Sequence, residues 1–176
     1  MGFMELRFIQ PSLQSLDEVD SEVLSCSVWS DARPVHGLAG LCDWRLGGRL
    51  SEMIRAGWIS GELGEVVLIP VKPLLTFDKL LVYGAGPRAG FADESFRAVV
   101  DKMLGTMEGL CARVGVVELP GRCDELIPAE LAADILLASA GRKPEHDVWT
   151  LVESAEAKAA ITQHMIEERR RVRRVL

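Results

Sequence analysis

Apolar and polar positions along the chain follow two different periods, and each change of period predicts an element. Residues 4–9 set Glu5 and Arg7 against Leu6 and Phe8, the two-residue alternation of a half-buried strand. Residues 23–29 read as a second strand, closed by the turn formers Ser30, Asp31, Ala32, Arg33 and Pro34. From Leu38 to Ala56 the apolar residues Leu38, Leu41, Cys42, Leu46, Leu50, Met53 and Ile54 recur at three- and four-residue spacing, one face of a helix. Gly47 and Gly48 interrupt that face, at about 1 kcal/mol each relative to alanine, so they mark a break or a close approach. Residues 65–71 and 79–83 are short apolar runs, expected as central strands buried on both faces.

The clearest helix is expected to start with Asp93 as its N-cap. Its apolar stripe runs through Phe96, Val99, Val100, Met103, Leu104, Met107, Leu110 and Cys111. A strand over 114–119 follows, then a helix with Pro128 in its first turn running to Leu137, and a last strand over 147–152. Ser154 is placed to cap a terminal helix with Ala157, Ile161 and Met165 on one face. Strands alternating with helices predict an α/β three-layer sandwich, a mixed, mainly parallel sheet with helices on both faces. With no internal repeat, low-complexity stretch or linker, residues 1–176 read as one domain.

Composition narrows the class without naming a function. A hydrophobic content of 48% and a charged content of 26% exclude collagen-like and disordered chains. No apolar run approaches the roughly 20 residues of a membrane-spanning helix, and residues 1–11 lack the pattern of a signal peptide. The chain opens Met-Gly, but Leu6 stands where a myristoylation motif wants Ser or Thr. A cytoplasmic location without membrane contact is the expectation. The net charge is -6, yet Arg169, Arg170, Arg171, Arg173 and Arg174 hold five of the 20 basic residues, leaving 15 against 26 acidic ones in residues 1–168. That basic helix end, 169–174, fits the macrodipole of a helix C-terminus better than a nucleic-acid arm, because the acidic body repels phosphates.

Candidate chemistry is sparse. Cys26, Cys42, Cys111 and Cys123 form no C-x-x-C pair and have no His three to five positions away, so they are expected as reduced, buried or half-buried thiols and no metal site is expected. The turn Gly84-Ala85-Gly86-Pro87-Arg88-Ala89-Gly90 follows a strand and precedes a helix, where α/β folds bind anions. Its G-x-G-x-x-x-G spacing is one residue longer than the dinucleotide fingerprint, however, and Pro87 removes an N–H that a phosphate would use. The loop from Ser30 to Gly40 gathers Asp31, Arg33 and His36, an Asp/His pair with no nucleophile beside it. The ligand-binding candidates are therefore Asp31, Arg33, His36, Gly84, Gly86, Arg88 and Gly90, and no catalytic residue is assigned. His146 and His164 stand in isolation, and Trp29, Trp44, Trp58 and Trp149 are dispersed like core or interface anchors.

A longer stretch is more specific. Leu46-Gly47-Gly48-Arg49-Leu50-Ser51 leads through Gly57-Trp58-Ile59-Ser60-Gly61-Glu62-Leu63-Gly64-Glu65 into Val66-Val67-Leu68-Ile69-Pro70, and Lys79-Leu80-Leu81-Val82-Tyr83-Gly84-Ala85-Gly86 follows. This order resembles the N-terminal domain of leucyl (cytosol) aminopeptidases: a Leu-Gly-Gly helix, a Gly-x-x-x-Gly-x-x-Gly-Glu turn, an apolar strand ending in Pro, and a second core strand with its glycine turn. The resemblance covers roughly residues 5–150 and implies a macro-domain-like fold. In that family two metal ions and all catalytic residues belong to a larger C-terminal domain, whose metal-binding segment has no counterpart here. Thr76-Phe77-Asp78 echoes the family's Thr-Phe-Asp motif, but Lys79 and Leu80 follow where Ser-Gly-Gly should stand. No peptidase activity, tight metal site or cofactor is carried over.

Two readings remain, ahead of a third in which the 30–40 and 84–90 loops serve an enzyme of unknown type. The first is a non-catalytic interaction or regulatory protein, partnered by a separate aminopeptidase catalytic chain or by self-association. The alternative is a small-molecule binder of nucleotide or ADP-ribose type, using the Ser30-to-Gly40 and Gly84-to-Gly90 loops. Nucleic acid is not expected as a partner.

Overall fold

A computed structural model describes residues 4–141 and 148–175, with side chains through Arg170. The elements are β1 (Glu5–Ile9), α1 (Leu13–Asp17), β2 (Val23–Val28), α2 (Gly37–Arg45), α3 (Arg49–Arg55), β3 (Val66–Pro70), β4 (Lys79–Gly84), α4 (Asp93–Gly109), β5 (Val114–Val117), α5 (Ala129–Ala140), β6 (Val148–Val152) and α6 (Ala155–Val175). All six strands form one sheet in the order β1-β6-β5-β2-β4-β3. Every neighbouring pair is parallel except β3 with β4. The mixed, mainly parallel sheet expected from the alternation of runs is therefore present.

The two faces of the sheet follow from the two-residue period. In β4, Leu81 and Tyr83 join one buried cluster with Phe96, Val99, Val100, Met103 and Met107 of α4. Leu80 and Val82, pointing the other way, join Leu38 and Cys42 of α2 and Leu50 of α3. The second half of α5 packs on the first cluster through Ile135 and Leu136. The edge strand β1 supplies Leu6 and Phe8 to a smaller cluster with Ala129, Ala133, Ala157 and Ile161, where α5 meets α6.

Several local expectations need correction. β3 is an edge strand, not a central one; Leu68 is exposed, and Pro70, which cannot donate to a ladder, closes the strand. Asp93 is the first helical residue rather than the cap, which is Ala92; its carboxylate and that of Glu94 face the positive end of the helix dipole instead. Pro128 is the N-cap of α5, one position before the first turn, and the helix continues past Leu137 to Ala140. The short helix α1 was unforeseen, although Ser12 caps it through a hydrogen bond from Ser15 N–H (3.1 Å). Cys26 and Cys42 are buried, but Cys111 and Cys123 are exposed. His146 and Asp147 lie outside the described residues, as do the side chains of Arg171, Arg173 and Arg174.

The glycine-rich stretch after α3 has a packing role. Gly47 (φ +67°) and Gly48 (φ +87°) break the helical run between α2 and α3, and the Asp43 carboxylate accepts from Ser51 N–H at 3.0 Å across that break. Glu65 accepts from the N–H groups of Ser60 (3.1 Å) and Gly61 (2.8 Å), closing the turn that precedes β3. This turn then lies against the ends of two central strands. A Cβ on Gly61 would sit 2.5 Å from the Trp29 carbonyl oxygen, and one on Gly84 only 1.9 Å from that of Glu62. Gly84→Ala is therefore expected to destabilise the domain at or above the upper end of the roughly 1–3 kcal/mol typical of overpacking. Gly90→Ala, which meets no atom within 4 Å but keeps φ at +81°, should cost only about 1–2 kcal/mol. Urea unfolding of the two variants checks the order.

Candidate functional site

The connections of the sheet locate the site before any side chain does. The chain leaving β2 travels to β3 and β4 on one side, whereas the chain leaving β5 travels to β6 on the other. β2 and β5 are neighbours, so their carboxyl ends flank the point where the strand order reverses, the usual position of a binding crevice in open α/β sheets. A cleft of about 420 Å³ opens there, lined by His36 and Gly37 after β2, Glu118 and residues 122–125 after β5, and Glu153 and Ser154 after β6.

Asp124 ties the cleft rim together. One carboxylate oxygen accepts from His36 Nε2 at 2.9 Å. The other accepts from Trp29 Nε1–H at 3.0 Å and lies 3.3 Å from Arg88 Nε. Trp29 is buried and meets Phe91 edge to face, with ring centroids 4.8 Å apart, which holds its N–H in place. Burial alone would raise the Asp124 carboxyl, but the hydrogen bonds from His36 and Trp29 outweigh it and hold it below the usual carboxylate range. The same bond raises His36 above its ordinary value.

Deeper in the cleft, Glu118 is buried and accepts from Leu38 N–H at 2.9 Å, so a carboxylate of the chain itself occupies the first turn of α2. Desolvation pushes Glu118 up to about 7 against the opposing pull of that N–H. Glu153 is paired with Arg122, both buried, through bonds of 2.8 and 3.0 Å, and Arg122 also donates to the Ile127 carbonyl at 2.6 Å. Cys123, although exposed as a residue, faces this acidic ground; desolvation of its thiol, then Glu118 and Asp124, push it up to about 12. A ring nitrogen of His36, Cys123 Sγ and an Asp124 carboxylate oxygen all lie within 4.8 Å of one another. They do not make a thiol nucleophile with its base: Nε2 is engaged by Asp124, and Nδ1 lies 3.4 Å from the Pro34 carbonyl oxygen.

The residues singled out from the sequence fall into three places. Asp31 accepts from Arg88 N–H at 2.7 Å and Ala89 N–H at 3.5 Å, so the 30–40 and 84–90 loops do meet, and the first of these bonds holds Asp31 below the usual carboxylate range. His36 and Arg88 converge on Asp124. Arg33 turns back on its own loop, donating to the Trp29 and Ala32 carbonyls. Gly84 is packed under Glu62, and Gly86 (φ +76°) bridges two segments, its N–H donating to Gly61 and its carbonyl accepting from Ser30 N–H. Gly90 is open to solvent space. The 118–124 segment, with Glu118, Arg122, Cys123 and Asp124, was missed. Charged residues at the end of the strand expected over 114–119 and just beyond it were the available signal.

Against this geometry the relatives can be placed. Residues 28–142 match the profile of the cytosol aminopeptidase family, N-terminal domain. The chain belongs to that family. A probable cytosol aminopeptidase of Azotobacter vinelandii is 27% identical over 112 residues, 61% of this chain and 22% of that protein. The chain thus spans about a fifth of the length of the curated relatives it matches. Among solved structures, a variant of tomato leucine aminopeptidase superposes with a TM-score of 0.65 at 15% identity, covering 93% of this chain and 36% of that one. The Oceanobacillus iheyensis macrodomain with ADP superposes with a TM-score of 0.68 at 14% identity, covering 89% and 88%. The fold is that of a macrodomain, standing in an aminopeptidase N-terminal domain.

Glu118 supplies a pH test. Its carboxyl is raised in the folded state, so its burial costs nothing below about pH 4.5 and progressively destabilises the fold as pH rises through about 7. Glu118→Gln keeps an oxygen for Leu38 N–H and removes the charge. The variant should match the wild type near pH 4.5 and exceed it above pH 7, by on the order of 2–3 kcal/mol, in chemical unfolding at several pH values.

Proposed function

We propose that this member of the cytosol aminopeptidase family is a non-catalytic interaction or regulatory module, acting by binding a partner chain. The observation that carries the reading is the pair Trp44 and Trp58, each 73% exposed, on α2 and on the turn after α3. Trp29 and Trp149 are buried, as an indole ordinarily is. Large rigid aromatics left in water are typical anchors of protein interfaces. The partner is a separate aminopeptidase catalytic chain or a second copy of this one; the net charge of -6 disfavours nucleic acid.

Light scattering after size-exclusion separation, with the protein alone and mixed with a catalytic aminopeptidase domain, tests this reading. Association is expected in one of the two samples. Trp44→Ala with Trp58→Ala should weaken it at least tenfold, with melting unchanged. A monomer that ignores the catalytic domain, or association indifferent to both tryptophans, would overturn it.

The cleft supports a second reading, small-molecule binding, but its donors argue against a nucleotide. Leu38 N–H is taken by Glu118, and the N–H groups of Arg88 and Ala89 by Asp31. Glu118, Asp124, Glu125 and Glu153 oppose Arg122 and His36 along the lining, so the field repels phosphate. ADP-ribose, ADP and inorganic phosphate should leave the melting temperature unchanged, whereas a ligand at a hundredfold excess over its Kd would add about 2.7 kcal/mol. A thermal-shift titration reads the difference.

A further inference from the structure

We infer that His36, Cys123 and Asp124 form a binding site for one zinc-type divalent transition-metal ion at the rim of the cleft. The expectation against a metal rested on spacing along the chain, which cannot register a histidine 88 residues from its carboxylate partner. Folding places the imidazole, thiol and carboxylate within 4.8 Å of one another. Bond lengths of about 2.0–2.3 Å around a tetrahedral ion put its ligands roughly 3.4–3.6 Å apart. To reach that spacing the sulfur moves inward and His36 and Asp124, 2.9 Å apart, open slightly.

The surroundings have the form that holds metal ligands in orientation. His36 Nδ1 lies beside the Pro34 carbonyl, the partner that fixes Nε2 as the coordinating nitrogen. When one Asp124 oxygen turns to the ion, the other keeps Trp29 Nε1–H and Arg88. Gly37, with a φ of +60°, brings the start of α2 against Cys123; a Cβ there would lie 2.9 Å from its sulfur. Glu125, and Glu118 once it ionises above about pH 7, line the same cleft and add negative charge that attracts a cation, while Glu153 is already paired with Arg122. A mixed sulfur, nitrogen and oxygen set suits zinc rather than magnesium or calcium. Three protein ligands leave a fourth position open toward the cleft, for water or a donor atom of a bound molecule. On binding, the Cys123 thiol and His36 Nε2–H each release a proton to solvent, so that sulfur coordinates as thiolate and Nε2 through its lone pair, with Nδ1 keeping the ring's proton.

Cobalt(II) replaces zinc in such sites and reports on sulfur directly. Tag-free, chelator-treated protein is titrated with cobalt(II) and followed by near-ultraviolet and visible absorption. One ion per chain is expected, with a thiolate-to-cobalt charge-transfer band that zinc abolishes by displacement. Cys123→Ser should remove the band and His36→Ala weaken affinity more than tenfold, while Cys111→Ser, at the other exposed thiol, changes neither. Because His36 and Cys123 are exposed, all three variants should keep the wild-type circular dichroism. Absence of saturable binding, a band that survives Cys123→Ser, or one lost in Cys111→Ser would each overturn the site.

Discussion

The placement of β2 between β4 and β5, parallel to both, governs the rest of the molecule. A parallel neighbour can be reached only by a crossover, and right-handed crossovers leading to opposite edges must depart on opposite faces. Helices α2 and α3 therefore cover one face and α4 and α5 the other, each receiving one set of alternating side chains. Where the two sets of connections part, the strand ends are left uncovered. The cleft is a consequence of that topology, and the loops after β2, β5 and β6 could only have met there.

What fills the cleft is a matter of sequence. A helix N-terminus at such a position ordinarily offers free N–H groups to an anion. Here Glu118 reaches α2 from the end of β5, and Asp31 closes over the Arg88 and Ala89 N–H groups. Both carboxylates come from the chain itself. They satisfy backbone donors that an anion would otherwise use, Glu118 at the cost of its own desolvation. The likeness to the ADP-bound macrodomain is one of fold, and a fold does not by itself carry a ligand from one chain to another.

The fold was largely legible in the chain because its signals are local. The strand runs of β2 and β4, the stripe of α4 and the Gly47-Gly48 break are each contained in one segment, and each appears where the pattern put it. β3 misled because an apolar run does not say whether a second strand lies beyond it. Only the sheet order makes it an edge. The site was less legible for a related reason. Asp31, His36 and Arg88 could be singled out as polar residues in strand-end loops, but Asp124, which joins two of them, sits 88 positions from His36. No period or motif links residues so far apart; what links them is the parallel pairing of β2 with β5.

The glycines make the same distinction between local and tertiary causes. Gly84 and Gly86 stand in a turn that has the outline of a phosphate cradle, and a small residue there is compatible with either a ligand or a neighbour at close range. The neighbour is present: the Glu62 carbonyl occupies the place of a Gly84 Cβ, and Gly61 and Ser30 engage both backbone groups of Gly86. The Gly-x-x-x-Gly-x-x-Gly-Glu stretch and the later glycine turn are two halves of one contact. Each explains the composition of the other. Their occurrence together in one chain therefore argues for a buried backbone-to-backbone junction holding β2, β3 and β4 in place, one strand away from the acidic side chains of the cleft.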